Sequence, residues 1–351
     1  MDDGQLTGVI FLDLSRAFDT VNHTILLEKL SFLGVSTTTL SWFYSYLQNR
    51  QQVMSYDDSV SNPAKIPVGV PQGSILGPLL FFIYVNDIPK CLEKVNVTLY
   101  ADDTAVYYSS RNLPDLIDTI NHDLINISKW LSLNQLILNV TKSKFMMVGC
   151  CQKMNAVDPV NLSLDGKPLF QSDTFTYLGA ELNENLSWTD HVHWIYAKVL
   201  KKLSLFKRIK CYLPFHARKL FFNSLILPSF DYCDIVWGDT ANDTAMTSLQ
   251  ILQNRAAKEI LDLLFLSSAS DALDRLGWKP LCHRRKEHRS SFIYKCIYNL
   301  IDSDYNIVFN KDVHNYNTRN RDNIRIPRNI DNIRIPQNLN LFKKSVHNLN
   351  F

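Results

Sequence analysis

The chain has 351 residues, a formal net charge of +3, 46% hydrophobic and 20% charged residues. That apolar content at this length builds a sizeable core and excludes a wholly disordered chain, and it allows one large domain or two to three of roughly 100–200 residues each. No apolar run reaches the ~20 residues of a membrane span, and the N-terminus is acidic where a secretory leader is basic.

Seven cysteines in so long a chain fit a reducing, intracellular setting, nuclear or cytoplasmic, better than a disulfide scaffold. The near-neutral total hides an asymmetry. Residues 1–150 carry 10 Lys+Arg against 14 Asp+Glu, whereas residues 198–295 carry 17 against 9. An acidic half joined to a basic half suits a polyanionic partner gripped by the basic half, although a solvated basic face is also common on ordinary helices.

Thr7–Leu14 (TGVIFLDL) reads as a buried strand with Asp13 near its end. Helices follow over Thr24–Leu33 and Thr39–Leu47, separated by Gly34 as a C-cap. Ser74–Ile88 reads as a helix with Pro78 tolerated in its first turn. Val95–Tyr108 splits into two strands around a tight turn at Asp102–Asp103. Leu113–Leu131 places Leu116, Ile120, Leu124 and Ile127 on one helical face. A strand at Lys144–Val148 and a hairpin around Asp165–Gly166 come next. Beyond residue 188 the pattern turns helical, over Asp190–Lys210, Ala217–Leu227 and Thr244–Leu264. Residues 306–351 hold 12 Asn and a near repeat, NIRIPRN against NIRIPQN, and read as a loosely ordered tail.

Two segments carry chemistry. An Asp-Asp pair in a turn ordinarily points to water. Here Val97, Leu99 and Tyr100 before it and Ala105, Val106 and Tyr107 after it are core-strand residues, so the turn reads as an internal one. With Asp13 as a third carboxylate, the three would form an all-oxygen site suited to Mg²⁺ and phosphoryl transfer. The loop Pro67–Pro78 (PVGVPQGSILGP) sets Gln72, a donor and acceptor, between Gly69 and Gly73; read alone, it is a loop that starts a helix. Cys150–Cys151, Cys282, His283, His288 and Cys296 form no recognised zinc spacing.

FLDLSRAFDTVNH (Phe11–His23), GVPQGSILGPLLF (Gly69–Phe81), YADD (Tyr100–Asp103) and LILNVTKSK (Leu136–Lys144) occur in this order. They resemble motifs A, B, C and D of the reverse transcriptases of jockey-like non-LTR (LINE-type) retrotransposons. FTYLGAELNENLSWTDHV (Phe175–Val192) resembles the segment that leads from these motifs into a helical thumb. The resemblance implies an α+β fold: a palm of antiparallel sheet with packed helices, followed by an all-α thumb-like region. It divides the chain into a palm over 1–150, a β-rich connector over 151–188, a helical basic region over 189–300 and the Asn-rich tail over 301–351.

The implied activity is RNA-directed DNA polymerisation, extending a DNA primer on an RNA template with deoxynucleoside triphosphates and two Mg²⁺ ions, or Mn²⁺ as a substitute. Asp13 and Asp102 would hold the metal, with Asp103 supporting them. Phe18 would close the sugar pocket against a 2′-hydroxyl, and Gln72 and Gly73 would meet the nucleotide. Lys142 would donate a proton to the leaving pyrophosphate, with Lys144 as its rival. Asp19, Asn22 and His23 also match and read as supporting or helix-capping groups. Lys198, Lys201, Lys202, Lys207, Arg208 and Lys210 would grip phosphates of the RNA–DNA hybrid. Only 12 residues precede Asp13, so the resemblance also leads us to expect an N-terminally truncated chain that lacks fingers and endonuclease. A non-catalytic remnant that at most binds nucleic acid is the alternative. No membrane partner is implied, and the sequence does not set the oligomeric state.

Overall fold

The computed structural model describes residues 4–149, 160–164, 166–238 and 243–301. The expected tail from 302 onward, Cys150–Cys151 and Asp165 lie outside them. The chain divides into two compact units, one running to Leu178 and the other starting at Gly179.

The first unit is built on a five-stranded sheet. Strand β1 (Leu6–Leu12) follows the apolar run that the sequence marks. It is followed by helices α1 (His23–Phe32), α2 (Thr37–Leu47) and α3 (Leu76–Val85). Next come β2 (Asn96–Tyr100), β3 (Asp103–Ser110), α4 (Leu113–Leu133), β4 (Lys144–Val148) and the two-residue β5 (Phe170–Gln171). The sheet order is β5-β4-β1-β3-β2, so β1 lies in the middle and β2 forms one edge. Pairing is antiparallel except at β5, which runs parallel to β4 with Phe170 opposite Lys144.

Central placement explains the apolar run, since a strand with neighbours on both edges and helices against it keeps little surface for water. Ile10, Val106, Phe145 and Met147 share one core with Leu80, Phe81 and Tyr84 of α3 and Leu116, Ile120, Leu124 and Ile127 of α4. Each such large apolar side chain contributes about 1.5–3 kcal/mol on burial.

Several boundaries depart from the sequence expectation. Helix α3 starts at Leu76 rather than Ser74 because the Ser74 hydroxyl is occupied as a local cap, donating to Pro71 O (2.7 Å) and accepting from Gly77 N–H (2.9 Å). The β2–β3 turn sits one residue earlier than expected: Tyr100 pairs with Asp103, so Ala101 and Asp102 form the turn and Asp103 opens β3. Two short ladders, Gln51–Gln52 with Ala64–Lys65 and Ser55–Tyr56 with Ser59–Val60, occupy a stretch for which the sequence reading set no element.

The second unit is helical. Helix α5 (Thr189–Ile209) buries Val192, Ile195, Val199, Leu203 and Phe206 against Leu249, Leu252, Ala256 and Ile260 of α7 (Asp243–Ile260). Between them, α6 (Phe215–Phe221) continues through a π-helical turn at Phe222–Ile226 into Leu227–Asp231. Pro228 has no N–H for the helical ladder, and the widened turn just before it takes up the mismatch. Two further helices lie within the expected helical region although the sequence reading set no bounds for them, α8 (Ala269–Leu276) and α9 (Leu281–Ile297). Among the described residues, no helix is long and apolar enough to cross a membrane.

Candidate active site

The strand register brings Asp13, Asp102 and Asp103 to one end of the sheet, although their carboxylate oxygens do not all lie within 4.8 Å of one another. Leu12 pairs with Thr104 in the β1–β3 ladder, so one step further Asp13 comes level with Asp103. Asp102 is held beside them by the turn, where Ala101 adopts a left-handed backbone (φ 55). A non-glycine residue there carries strain of order 1 kcal/mol, a cost concentrated at functional turns. Partial burial first, and then the charges of Asp102 and Asp13, push the Asp103 carboxyl above the usual carboxylate range.

Asp13 is fixed by the segment that carries Lys142. Its N–H donates to Ser143 Oγ (3.1 Å), and its carbonyl accepts from Asn139 N–H (2.8 Å). Asn139 also organises the turn that presents Lys142, accepting from the Thr141 hydroxyl (2.7 Å) and from Lys142 N–H. Lys142 Nζ consequently lies 4.0 Å from Asp13 Oδ2, with both side chains substantially exposed. Lys144 instead stands in the β4 ladder opposite Phe11. Behind the carboxylates, the Phe11 ring stacks on Phe175 at 3.8 Å and packs against Tyr177 at 5.4 Å. Burial and the Asp103 charge raise the Tyr177 phenol, whose buried oxygen has no hydrogen-bond partner among the described residues.

The glycine-proline loop is clamped onto the turn after β1. Gly69 N–H donates to Val21 O (2.7 Å) and Val70 N–H to Phe18 O (2.8 Å). The Gly69 carbonyl can only accept, so His23 Nε2 donates to it at 2.8 Å. Gly69 has φ +92, and a Cβ there would meet the Asp19 backbone at 2.8–3.0 Å, so the close approach requires glycine. Gln72 Nε2 donates to Asp19 Oδ1 at 2.7 Å. Gly73 also has a positive φ (+77), but its missing side chain faces open space. The Phe18 ring packs on Phe81 with centroids 4.5 Å apart. Asn22 caps α1 by accepting from Thr24 and Ile25 N–H, as expected of its position.

The six basic residues of the second unit fall into two groups. Lys198, Lys201, Lys207 and Arg208 are exposed on α5, and Lys198 Nζ lies 4.4 Å over the Trp194 ring. Lys202 and Lys210 point inward. Lys202 Nζ donates to Leu225 O and to Ser229 Oγ (2.9 Å), and burial followed by the Lys198 charge lowers its pKa. Lys210 Nζ bridges Glu259 (2.7 Å) and Asp262 (3.1 Å), and the hydrogen bond to Glu259 leads the causes that raise its pKa.

Two arrangements carried no sequence signal. Asp123, 1% exposed on α4, accepts the N–H groups of Glu93, Lys94 and Val95. Burial works to raise its pKa, but these bonds and one from Asn126 outweigh it and hold the carboxyl below the usual range. In the second unit, Asp231, Asp234 and His288 converge within 4.8 Å, the only such metal-ligand grouping among the described residues. Their atoms are already engaged, Asp231 by Arg284 (Nη2–Oδ2 2.6 Å) and Asp234 by His288 Nδ1 (2.7 Å), and Arg285 lies over the Trp237 ring. This cluster is a partly buried ion network around buried Asp234, and it bridges residues 54 positions apart.

The sheet thus presents three aspartates at one end, with a glycine-proline loop clamped to the turn that follows β1. Residues 1–182 match the family described as Reverse transcriptase (RNA-dependent DNA polymerase). The chain belongs to that family. It is 28% identical over 273 residues to a probable RNA-directed DNA polymerase from transposon BS of Drosophila melanogaster, covering 74% of this chain and 30% of that protein. It is 26% identical over 282 residues to the RNA-directed DNA polymerase from mobile element jockey of Drosophila funebris, covering 74% and 29%. The chain thus spans about 30% of the length of these relatives. A telomerase from Candida albicans, solved with the TWJ fragment of telomeric RNA, aligns with a TM-score of 0.41 at 12% identity, over 78% of this chain and 51% of that one.

Proposed function

We propose that the chain is the palm and thumb portion of an RNA-directed DNA polymerase of a non-LTR retrotransposon, extending a DNA primer on an RNA template. The observation that supports this reading is that Asp13 and Asp102 lie near enough for their charges to help raise Asp103; the three carboxylates do not meet within 4.8 Å, and a bound cation would have to draw them together. Among the described residues, Lys142 is the one cation at ion-pair distance from the three, so they hold more negative charge than their surroundings neutralise. Hard oxygen donors in that state suit a divalent cation.

In this reading Asp13 and Asp102 hold the ions and Asp103 supports them. Bound Mg²⁺, or Mn²⁺ in its place, would activate the primer 3′-hydroxyl and neutralise charge on the triphosphate. Lys142, 4.0 Å from Asp13 Oδ2, would hand a proton to the departing pyrophosphate. Phe18, backed by Phe81, excludes a 2′-hydroxyl by bulk, and Gln72 and Gly73 border the nucleotide. Lys198, Lys201, Lys207 and Arg208 supply exposed charge for hybrid phosphates, whereas Lys202 and Lys210 serve the second unit internally.

Primer extension on an RNA template in Mg²⁺ tests the reading. Asp102→Asn and Asp103→Asn should each abolish extension while leaving hybrid binding in place. Extension that survives both substitutions would remove the carboxylates from the mechanism. Hybrid binding without extension by the parent chain would leave only a nucleic-acid-binding role.

A further inference from the structure

His191 is a buried polar side chain with a hydrogen-bond donor left over. It is 1% exposed on α5, set among Trp188, Trp194 and Trp237 at ring-centroid distances of 5.5–6.2 Å. Its Nδ1 accepts the Glu181 N–H at 3.1 Å. Burial, and then the Lys198 charge, hold its pKa below the ordinary histidine value, which keeps the ring neutral at pH 7. A neutral imidazole whose Nδ1 accepts carries its hydrogen on Nε2. That N–H is buried and meets no acceptor among the described residues. A buried donor without an acceptor is costly, and a ligand that supplies one removes the cost.

His191 lines a cavity of about 410 Å³ together with Trp194, Lys198, Lys202, Ser224 and Ser229. Spacings of three and four set His191, Trp194, Lys198 and Lys202 along one side of α5. The π-helical turn at Phe222–Ile226 and the helix after it bring the two serines. Leu225 O and Ser229 Oγ take two of the three ammonium hydrogens of Lys202 and leave one. Ser229 Oγ accepts in that bond, so its hydroxyl hydrogen remains a donor. The Lys198 charge acts on both His191 and Lys202, so these groups stand close together. Two of the donors are cationic, and none of the lining residues is acidic.

Such a lining fits an anion rich in oxygen. A carboxylate brings one charge and two oxygens, and a phosphodiester also brings one charge. A phosphate monoester brings about two charges at pH 7 and three terminal oxygens, which matches two ammonium groups flanked by N–H and hydroxyl donors. The cavity has the size of a site for a small organic ligand rather than a bare ion. Trp194, 42% exposed with Lys198 Nζ 4.4 Å from its ring centroid, offers a stacking surface to a base.

We propose that this cavity of the second unit binds the phosphate monoester of a nucleotide, gripped by Lys198, Lys202 and the Nε2–H of His191, with the base against Trp194. The site draws on no residue of the first unit and does not rest on the polymerase reading. Two sources carry the same group, a free nucleotide and the 5′-phosphorylated end of a strand.

The test is calorimetric binding of AMP and adenosine to the full chain and to its Lys198→Met, Lys202→Met and Lys286→Met variants. AMP should bind at least about tenfold more tightly than adenosine. Lys198→Met and Lys202→Met should each weaken AMP by about tenfold, whereas Lys286→Met, at an exposed position outside the cavity, should change nothing. Lys202→Met also breaks the bond to Leu225 O, so the parent supplies a second measurement. In ¹⁵N-histidine-labelled protein the His191 Nε2–H proton resonance should move downfield as AMP is added. Displacement of AMP by a 5′-phosphorylated oligoribonucleotide, but not by its 5′-hydroxyl twin, supports the site and makes the strand end its ligand. Displacement by neither supports it with the free nucleotide as ligand. Equal displacement by both overturns the inference, because the lysines then grip backbone phosphates only. AMP binding no tighter than adenosine, or AMP binding that leaves the His191 resonance unmoved, likewise overturns it. None of these outcomes depends on primer extension, so the inference and the polymerase reading stand or fall separately.

Discussion

Replacement of Gly69 by alanine tests how tightly the glycine-proline loop is seated. The substitution places a methyl group at φ +92, 2.8 Å from Asp19 O, 2.9 Å from its Cα and 3.0 Å from its carbonyl carbon. The left-handed conformation alone costs a non-glycine residue about 1–2 kcal/mol. Every atom met is backbone, so no rotamer change relieves the contact, and overpacking of this type costs a further ~1–3 kcal/mol. Gly73→Ala is the matched control, since its φ is +77 but nothing lies within 4 Å of the added methyl. It should carry only the conformational part. We therefore expect Gly69→Ala to lower the stability of the first unit by about 3 kcal/mol and Gly73→Ala by about 1 kcal/mol in urea unfolding. If the loop lifts away instead, the Gly69–Val21 and Val70–Phe18 bonds break, and the loss appears as a raised nucleotide KM. Gly69→Ala matching Gly73→Ala in both stability and KM would refute the reasoning.

Asp123→Asn should destabilise the first unit by about 2–3 kcal/mol in urea at neutral pH, because the new NH₂ group confronts backbone donors that now bond to a carboxylate. The folded pKa of Asp123 lies below its usual value, so its contribution is complete above the ordinary aspartate pKa of roughly 4 and is lost as the pH falls through the folded value. The gap between parent and variant should accordingly narrow in acid, and a gap that widens there would contradict the assignment. For the exposed basic residues of α5, replacing Lys201 or Arg208 by alanine should weaken hybrid binding and reduce the slope of log Kd against log salt by up to about 1 each. Lys210→Ala should instead lower the unfolding midpoint, because it breaks the bridge to Glu259 and Asp262; an unchanged midpoint would count against that bridge.

The parts of the fold legible in the sequence are those in which apolar spacing is produced by burial. β1 is apolar because it is central, and α4 shows its period because one face meets the sheet. The three aspartates drew attention because they stand beside apolar runs, but the expectation that Val97, Leu99 and Tyr100 belong to a core strand fails: β2 is an edge strand, Tyr100 is 61% exposed, and Asp102 lies in the turn. Helix α9 escaped because its buried face is made partly of Arg285 and Arg289, which read as solvated charges until Asp234, at the far end of the network, is known. β5 escaped because a two-residue parallel strand leaves no periodicity. The Asp19–Gln72 bond could not be read at all, because nothing local in either residue names a partner 53 positions away. Lys202 and Lys210 looked like phosphate-binding charges for the same reason: spacing along a helix says where a lysine starts, not where its ammonium group ends.

The position of β2 at the sheet edge has a practical consequence. Its outer row of backbone N–H and C=O groups is paired to no other strand among the described residues, and Thr98 and the 61% exposed Tyr100 border that row without a charge between them. Such an edge is a template for a strand from another molecule. In concentrated preparations such an edge favours self-association, next to the Ala101–Asp102 turn. A lysine at Thr98 would guard the edge at a position two residues short of that turn, which makes aggregation separable from chemistry in this chain.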